Sequence, residues 1–131
     1  EAAPDVRPSR SVREWGDPPE IVRVDGDGDA LTETVAAIVG ELAGRWTSVG
    51  VIVPEMAGVT LPAVADSVTV VSPPEAKGLE FDAVVVVEPA KFVPATGDEH
   101  RAGLRLLYVA LTRAVQTLTI VHQLPLPAAL A

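Results

Sequence analysis

The sequence predicts a single α/β domain built on a mostly parallel sheet flanked by helices. Three observations carry that prediction. Short β-branched runs at Val49–Val53, Val68–Val71, Ala83–Val87 and Leu118–Val121 read as buried strands. Two stretches with helical apolar spacing alternate with them, as in a sheet whose connections cross over its faces. The chain is 131 residues long, one domain's length, and can bury about two-thirds of its unfolded surface.

Taken in order, residues 1–20 are rich in proline and arginine, with Trp15 as their only aromatic, and read as an extended arm. The folded domain is expected over 21–131. Ile21–Val24 alternates weakly, as an edge-like first strand does. Asp25-Gly26-Asp27-Gly28-Asp29 is a turn, with Asp29 as the expected N-cap of a helix over Ala30–Trp46. In that helix Leu31, Val35, Ile38, Val39 and Leu42 share a face, and Gly44 closes the pattern. Pro54 stops the second strand, and Met56–Ala65 is a weak helix interrupted by Gly58 and Pro62. Pro73-Pro74 ends the third strand, and Pro89 ends the central strand Ala83–Val87. A loop over Ala90–Glu99 leads into a helix from about His100 to Val115. The last strand follows, and Pro125 and Pro127 finish the chain.

Composition narrows the function classes. Hydrophobic residues make up 48% of the chain, which excludes a disordered segment, while aromatics at 4% leave the core to Val, Leu, Ile and Ala. The formal net charge of −8 argues against gripping nucleic acid through the overall field of the domain, so any such contact needs a local basic patch. The absence of cysteine excludes disulfides and thiolate chemistry and permits a reducing cytoplasm, the expected location. No apolar run reaches the roughly 18 residues of a membrane span, and no signal peptide is visible. The start at Glu1 rather than Met suggests a piece of a longer protein.

Two segments place polar groups beside strongly buried elements. The first, Ala76-Lys77-Gly78-Leu79-Glu80-Phe81-Asp82, feeds directly into Ala83–Val87. Gly78 permits positive φ or close backbone approach of a ligand, and Glu80 could accept bonds from sugar hydroxyls at a strand end. The plainer alternative is a tight turn whose Lys77 and Glu80 are solvated. In the second, Leu107-Tyr108-Val109-Ala110-Leu111-Thr112-Arg113-Ala114, Leu104, Leu107, Tyr108 and Leu111 form one apolar stripe. Leu106, Val109 and Ala110 cover the opposite side, the pattern of a helix buried all round. Arg113, from its last turn, is either a partner for the helix dipole or a preorganised phosphate ligand.

Other chemistries find less support. Asp25, Asp27 and Asp29 mimic the start of a calcium loop, but Ala30 and Ala36 stand where the turn glycine and the bidentate acid belong. His100 and His122 lack ligand spacing, so no metal site is expected. There is no nucleophile elbow, and no Gly-x-x-x-x-Gly-Lys-Ser/Thr phosphate loop, so the chain alone cannot cradle a triphosphate.

In this order the two segments resemble the last two signature motifs, V and VI, of superfamily 1 helicases of the UvrD/Rep type, over about Val68 to His122. The resemblance implies the second, C-terminal RecA-like motor domain of such an ATPase, a P-loop NTPase-type fold without its own Walker A loop. It further implies that Arg113 is an arginine finger toward the γ-phosphate of ATP, held with Mg²⁺ by an N-terminal motor domain. Glu80 would contact the ribose, Gly78 would lie close to the nucleotide, and Lys77, Tyr108 and Thr112 would support them. Ser72-Pro73-Pro74 departs from the Thr-x-His that processive members carry there, so Pro74 replaces the His on the DNA-tracking side. The short tail after motif VI, and the arm Val6-Arg7-Pro8-Ser9-Arg10-Ser11-Val12-Arg13, look like the HelD (helicase IV-like) group, whose members bind and recycle bacterial RNA polymerase. Two other parents stay open: a processive single-stranded-DNA translocase, and a RecA-like domain kept only for docking.

Overall fold

The computed structural model describes residues 19–54, 66–92, 98–127 and 130. Most of the arm over 1–20, and the weak helix expected over Met56–Ala65, lie outside the described residues.

Strands β1 (Glu20–Arg23), β2 (Val49–Ile52), β3 (Val68–Val71), β4 (Phe81–Val87) and β5 (Ala114–His122) form one sheet in the order β1-β5-β4-β2-β3. Every pairing is parallel, as the alternation of strands and helices predicts. β4 is the central strand. Its side chains alternate between the two faces: Ala83, Val85 and Val87 join one core cluster, and Val84 and Val86 join the other.

Helix α1 (Gly28–Arg45) covers the first face through Leu31, Val35, Val39 and Leu42. Its N-cap is Asp27 rather than Asp29. The Asp27 Oδ1 accepts the Ala30 N–H at 3.0 Å, which lets the helix begin two residues before the expected start. Gly44 lies inside the helix, and the Trp46 N–H returns to the Leu42 carbonyl at its end.

Helix α2 (Asp98–Leu111) covers the second face, with Leu107, Ala110 and Leu111 packed on Phe81, Val84, Val86, Leu118 and Ile120. Two expectations fail at this helix. It is not apolar all round, because Arg101, Ala102, Arg105 and Tyr108 are exposed, Tyr108 by 46%. Nor does it reach Val115. The Thr112 N–H is shared between the Tyr108 and Val109 carbonyls, and the Arg113 N–H takes Ala110 in a tightened last turn. The Arg113 carbonyl then accepts the Phe81 N–H at 3.0 Å, so sheet pairing captures the chain and Ala114 starts β5.

Between β3 and β4 the chain crosses β2. A 3₁₀ turn (Pro74–Ala76) presses Ala76 into the same cluster as Ile52, and a second (Pro89–Phe92) follows β4 where a plain loop was expected. Both crossovers return the chain to the amino-terminal edge of the sheet, where β4 and β5 begin.

Candidate nucleotide-facing site

The two sequence segments meet at that edge. Arg113, just beyond α2, is held by three bonds. Its Nε–H donates to the Val109 carbonyl at 3.1 Å, Nη2 to the Thr112 Oγ1 at 3.2 Å, and Nη1 to the Leu79 carbonyl at 3.2 Å. The Thr112 hydroxyl in turn donates to Val109 at 2.9 Å, so one carbonyl anchors both side chains. A guanidinium has five N–H donors. Three are spent within the described residues, and the remaining two belong to the terminal nitrogens. Such a group has a fixed plane and unspent donors, which suits a phosphate or carboxylate oxygen.

The Leu79 carbonyl reaches Arg113 because of the turn before it. Gly78 adopts φ +81°, the left-handed region, and the Leu79 N–H closes back on the Ala76 carbonyl at 3.1 Å. A Cβ placed on Gly78 would meet nothing within 4 Å, so the glycine answers a backbone demand and leaves open space beside it. Lys77 and Glu80 are exposed at this opening, and neither side chain bonds a described residue. Of the residues expected to support Arg113, Thr112 touches it directly. Tyr108 contributes its carbonyl to the Thr112 N–H, with its ring turned to solvent.

The site differs from the usual ligand crevice of parallel sheets, which lies at the carboxyl ends of strands. In this chain the chemistry-bearing groups stand at the amino ends of β4 and β5. Ser72, Pro73 and Pro74 lead into the 3₁₀ turn. Glu75 closes it by accepting the Ser72 N–H at 2.8 Å and the Ser72 hydroxyl at 3.0 Å. The bond from the Ser72 backbone, and then the one from its hydroxyl, hold the Glu75 carboxyl below its ordinary value of 4.5.

A second set of contacts underlies the first segment. The Thr47 hydroxyl donates to Asp82 Oδ2 at 2.7 Å, and the Asp82 N–H donates to Ser48 Oγ at 2.9 Å. Thr47 and Ser48 carry no motif that would mark them in the sequence. Gly50 inside a β-branched strand was the available signal, since such a glycine marks close approach. Among the described residues no cluster of three or more His, Asp or Glu could hold a metal ion. Among them, too, no helix is long and apolar enough to cross a membrane.

Comparison with known proteins bears on this arrangement. Residues 67–121 match the model of the UvrD-like helicase C-terminal domain, a span that holds both segments. No curated protein matches the chain. Among solved structures, the chain is similar to the C-terminal domain of a possible DNA helicase from Lactobacillus plantarum WCFS1. The two share 27% identity with a TM-score of 0.69, over 96% of this chain and 88% of the other. Residues 67–121 thus carry the pattern of a UvrD-like helicase C-terminal domain, and the parallel sheet that presents them is an α/β, RecA-like fold.

Proposed function

We propose that the chain is the C-terminal motor domain of an ATP-dependent superfamily 1 helicase-like ATPase, completing a nucleotide site whose other half lies on an N-terminal motor domain. One observation carries this reading: the Arg113 guanidinium is locked to the Leu79 carbonyl, with two donors still unspent at an exposed edge. In that role Arg113 faces the γ-phosphate of ATP, and stabilises the charge that develops on it during transfer. Such fingers contribute factors of roughly 10³ to 10⁵ in rate. In the same reading Glu80 accepts ribose hydroxyls and the open side of Gly78 admits the nucleotide; the exposure of Glu80 and the empty space beside Gly78 support this. The N-terminal domain would supply the phosphate loop, which this sequence lacks, and would be the main holder of the Mg²⁺.

The isolated chain is accordingly expected neither to hydrolyse ATP nor to bind it tightly. Calorimetric titration with MgATP tests this. Heat signals that saturate at micromolar ATP would overturn the division of labour.

For the parent, a HelD-type factor that binds and recycles RNA polymerase is favoured over a processive DNA translocase by the net charge of −8 and by Pro74. ATPase activity strongly stimulated by single-stranded DNA would favour the translocase instead. The charge alone would leave nucleic-acid contact to the full protein.

A further inference from the structure

The lead-in to β2 belongs to none of the recognised segments, yet it grips the start of β4 from the side opposite Arg113. Two successive N–H groups, of Asp82 and Ala83, both turn to Ser48: Asp82 to its Oγ at 2.9 Å and Ala83 to its carbonyl at 3.1 Å. Consecutive donors on one side of a strand mark a local irregularity, and the register with β5 slips at this point. Phe81 pairs with Ala114 but Ala83 with Thr117, so β5 carries one extra residue opposite Asp82. Thr47 completes the grip through its bond to the Asp82 carboxylate at 2.7 Å. Below it, the Phe81 ring lies directly over Gly50. A Cβ there would fall 2.6 Å from the ring's Cγ, a contact that real side chains do not make.

We propose that Thr47, Ser48 and Gly50 are positioning residues for Arg113, acting through the start of β4 opposite the bulge in β5. Ser48 and Thr47 fix Asp82, and Gly50 lets Phe81 settle against β2. Phe81 then presents its N–H to the Arg113 carbonyl at 3.0 Å, while Leu79, two residues earlier, presents its carbonyl to the guanidinium. Both ends of Arg113 are therefore referenced to β2. Bulges recur beside active sites because they re-aim a neighbouring side chain, and in this fold the side chain is the one with unspent donors. The functional part of this inference rests on the arginine-finger reading above.

The test combines kinetics on the full-length protein with a spectroscopic readout on the chain. Ser48→Ala leaves the Asp82 N–H without its acceptor, and is expected to lower kcat for ATP roughly tenfold or more, as small misplacements of catalytic groups do. KM should stay within about twofold, because ground-state binding belongs to the other domain. Ser48→Thr keeps the hydroxyl and should restore most of the rate. In an Arg113→Lys background, Ser48→Ala should cost little more, since residues acting through one group are not additive. Independently of turnover, the Arg113 Nε–H resonance of the chain should exchange faster with solvent in Ser48→Ala and Thr47→Val than in the wild type. Loss of rate in Arg113→Ala with an unchanged kcat in Ser48→Ala would refute the positioning role and leave the finger standing. Altered Nε–H exchange with turnover indifferent to Arg113 would instead refute the finger. Unchanged exchange in both variants would refute the structural coupling itself.

Discussion

Gly78 separates two demands that a glycine can answer, an unusual backbone angle and close approach of a neighbouring group. Its φ of +81° imposes a backbone cost on any L side chain, while the space beside its Cα is empty to 4 Å. Gly78→Ala therefore meets no steric penalty in the isolated chain and carries only the conformational one, about 1–2 kcal/mol. That is a sizeable share of a domain stability of roughly 5–15 kcal/mol. With a urea m-value near 1.5 kcal/mol/M, the unfolding midpoint should fall by about 1 M without a change in slope. Gly78→Asn should lose distinctly less, because Asn tolerates the left-handed region. Intrinsic tryptophan fluorescence during urea unfolding reads both values. In the full-length protein the ranking should part company with stability: on the proposed function the Asn side chain would fill space that the nucleotide needs, so Gly78→Asn is expected to fold well and turn over poorly. An Ala variant that unfolds at the wild-type midpoint, or an Asn variant no more stable than Ala, would refute the backbone argument. An Asn variant with wild-type turnover would refute the proximity of Gly78 to the nucleotide.

Two further predictions concern carboxylates that hold the fold, Glu88 at the opposite end of β4 from the site and Glu75 in the turn beside it. Glu88 is only 2% exposed, has φ +52°, and accepts the Gln123 N–H at 2.9 Å and the Leu124 N–H at 3.3 Å, which ties the end of β4 to the end of β5. Glu88→Ala should cost about 2–4 kcal/mol through the lost charge-assisted bonds, and Glu88→Gly about 1 kcal/mol less, since Gly relieves the left-handed backbone. Urea unfolding that ranks Ala above Gly would contradict this. Glu75 has its carboxyl lowered by the Ser72 bonds, so its contribution to the 72–76 turn is present above the unfolded value near 4.5 and is lost as pH falls through the lower folded value. An NMR titration should place the Glu75 midpoint below that of free glutamate, and Ser72→Ala should raise it. A Ser72→Ala midpoint equal to the wild type would exclude the Ser72 hydroxyl as a cause of the lowering.

Much of the architecture was legible because it is written in side-chain period. The unbroken valine run of β4 can only be a strand buried on both faces, and the spacing of Leu31, Val35, Val39 and Leu42 fixes one face of α1. What the period could not reveal was where competing hydrogen bonds cut an element short. Val115 continues an apolar helical pattern, yet the Phe81 N–H claims the Arg113 carbonyl and turns Ala114 into strand. Likewise Asp27 and Asp29 offer equal capping chemistry, and only the closed bond to Ala30 decides between them. The pair at the site was legible as two separate polar segments, each in need of a partner. That the partner of Arg113 is a main-chain carbonyl of the other segment, Leu79, has no side-chain signature. The same holds for Ser48, whose Oγ takes the Asp82 N–H where the pairing of β4 with β5 slips by one residue.

The central claim is that Arg113 acts on the transferring phosphoryl group and contributes little to holding the nucleotide. It is tested most directly in the full-length protein by Arg113→Ala, with ATP turnover and nucleotide affinity measured on the same preparation. Arg113→Ala should lower kcat by a factor of roughly 10³ or more, with the dissociation constant for ATP changed by only a few fold. Turnover retained within tenfold of the wild type, or a rate loss matched by an equal loss of affinity, would contradict it.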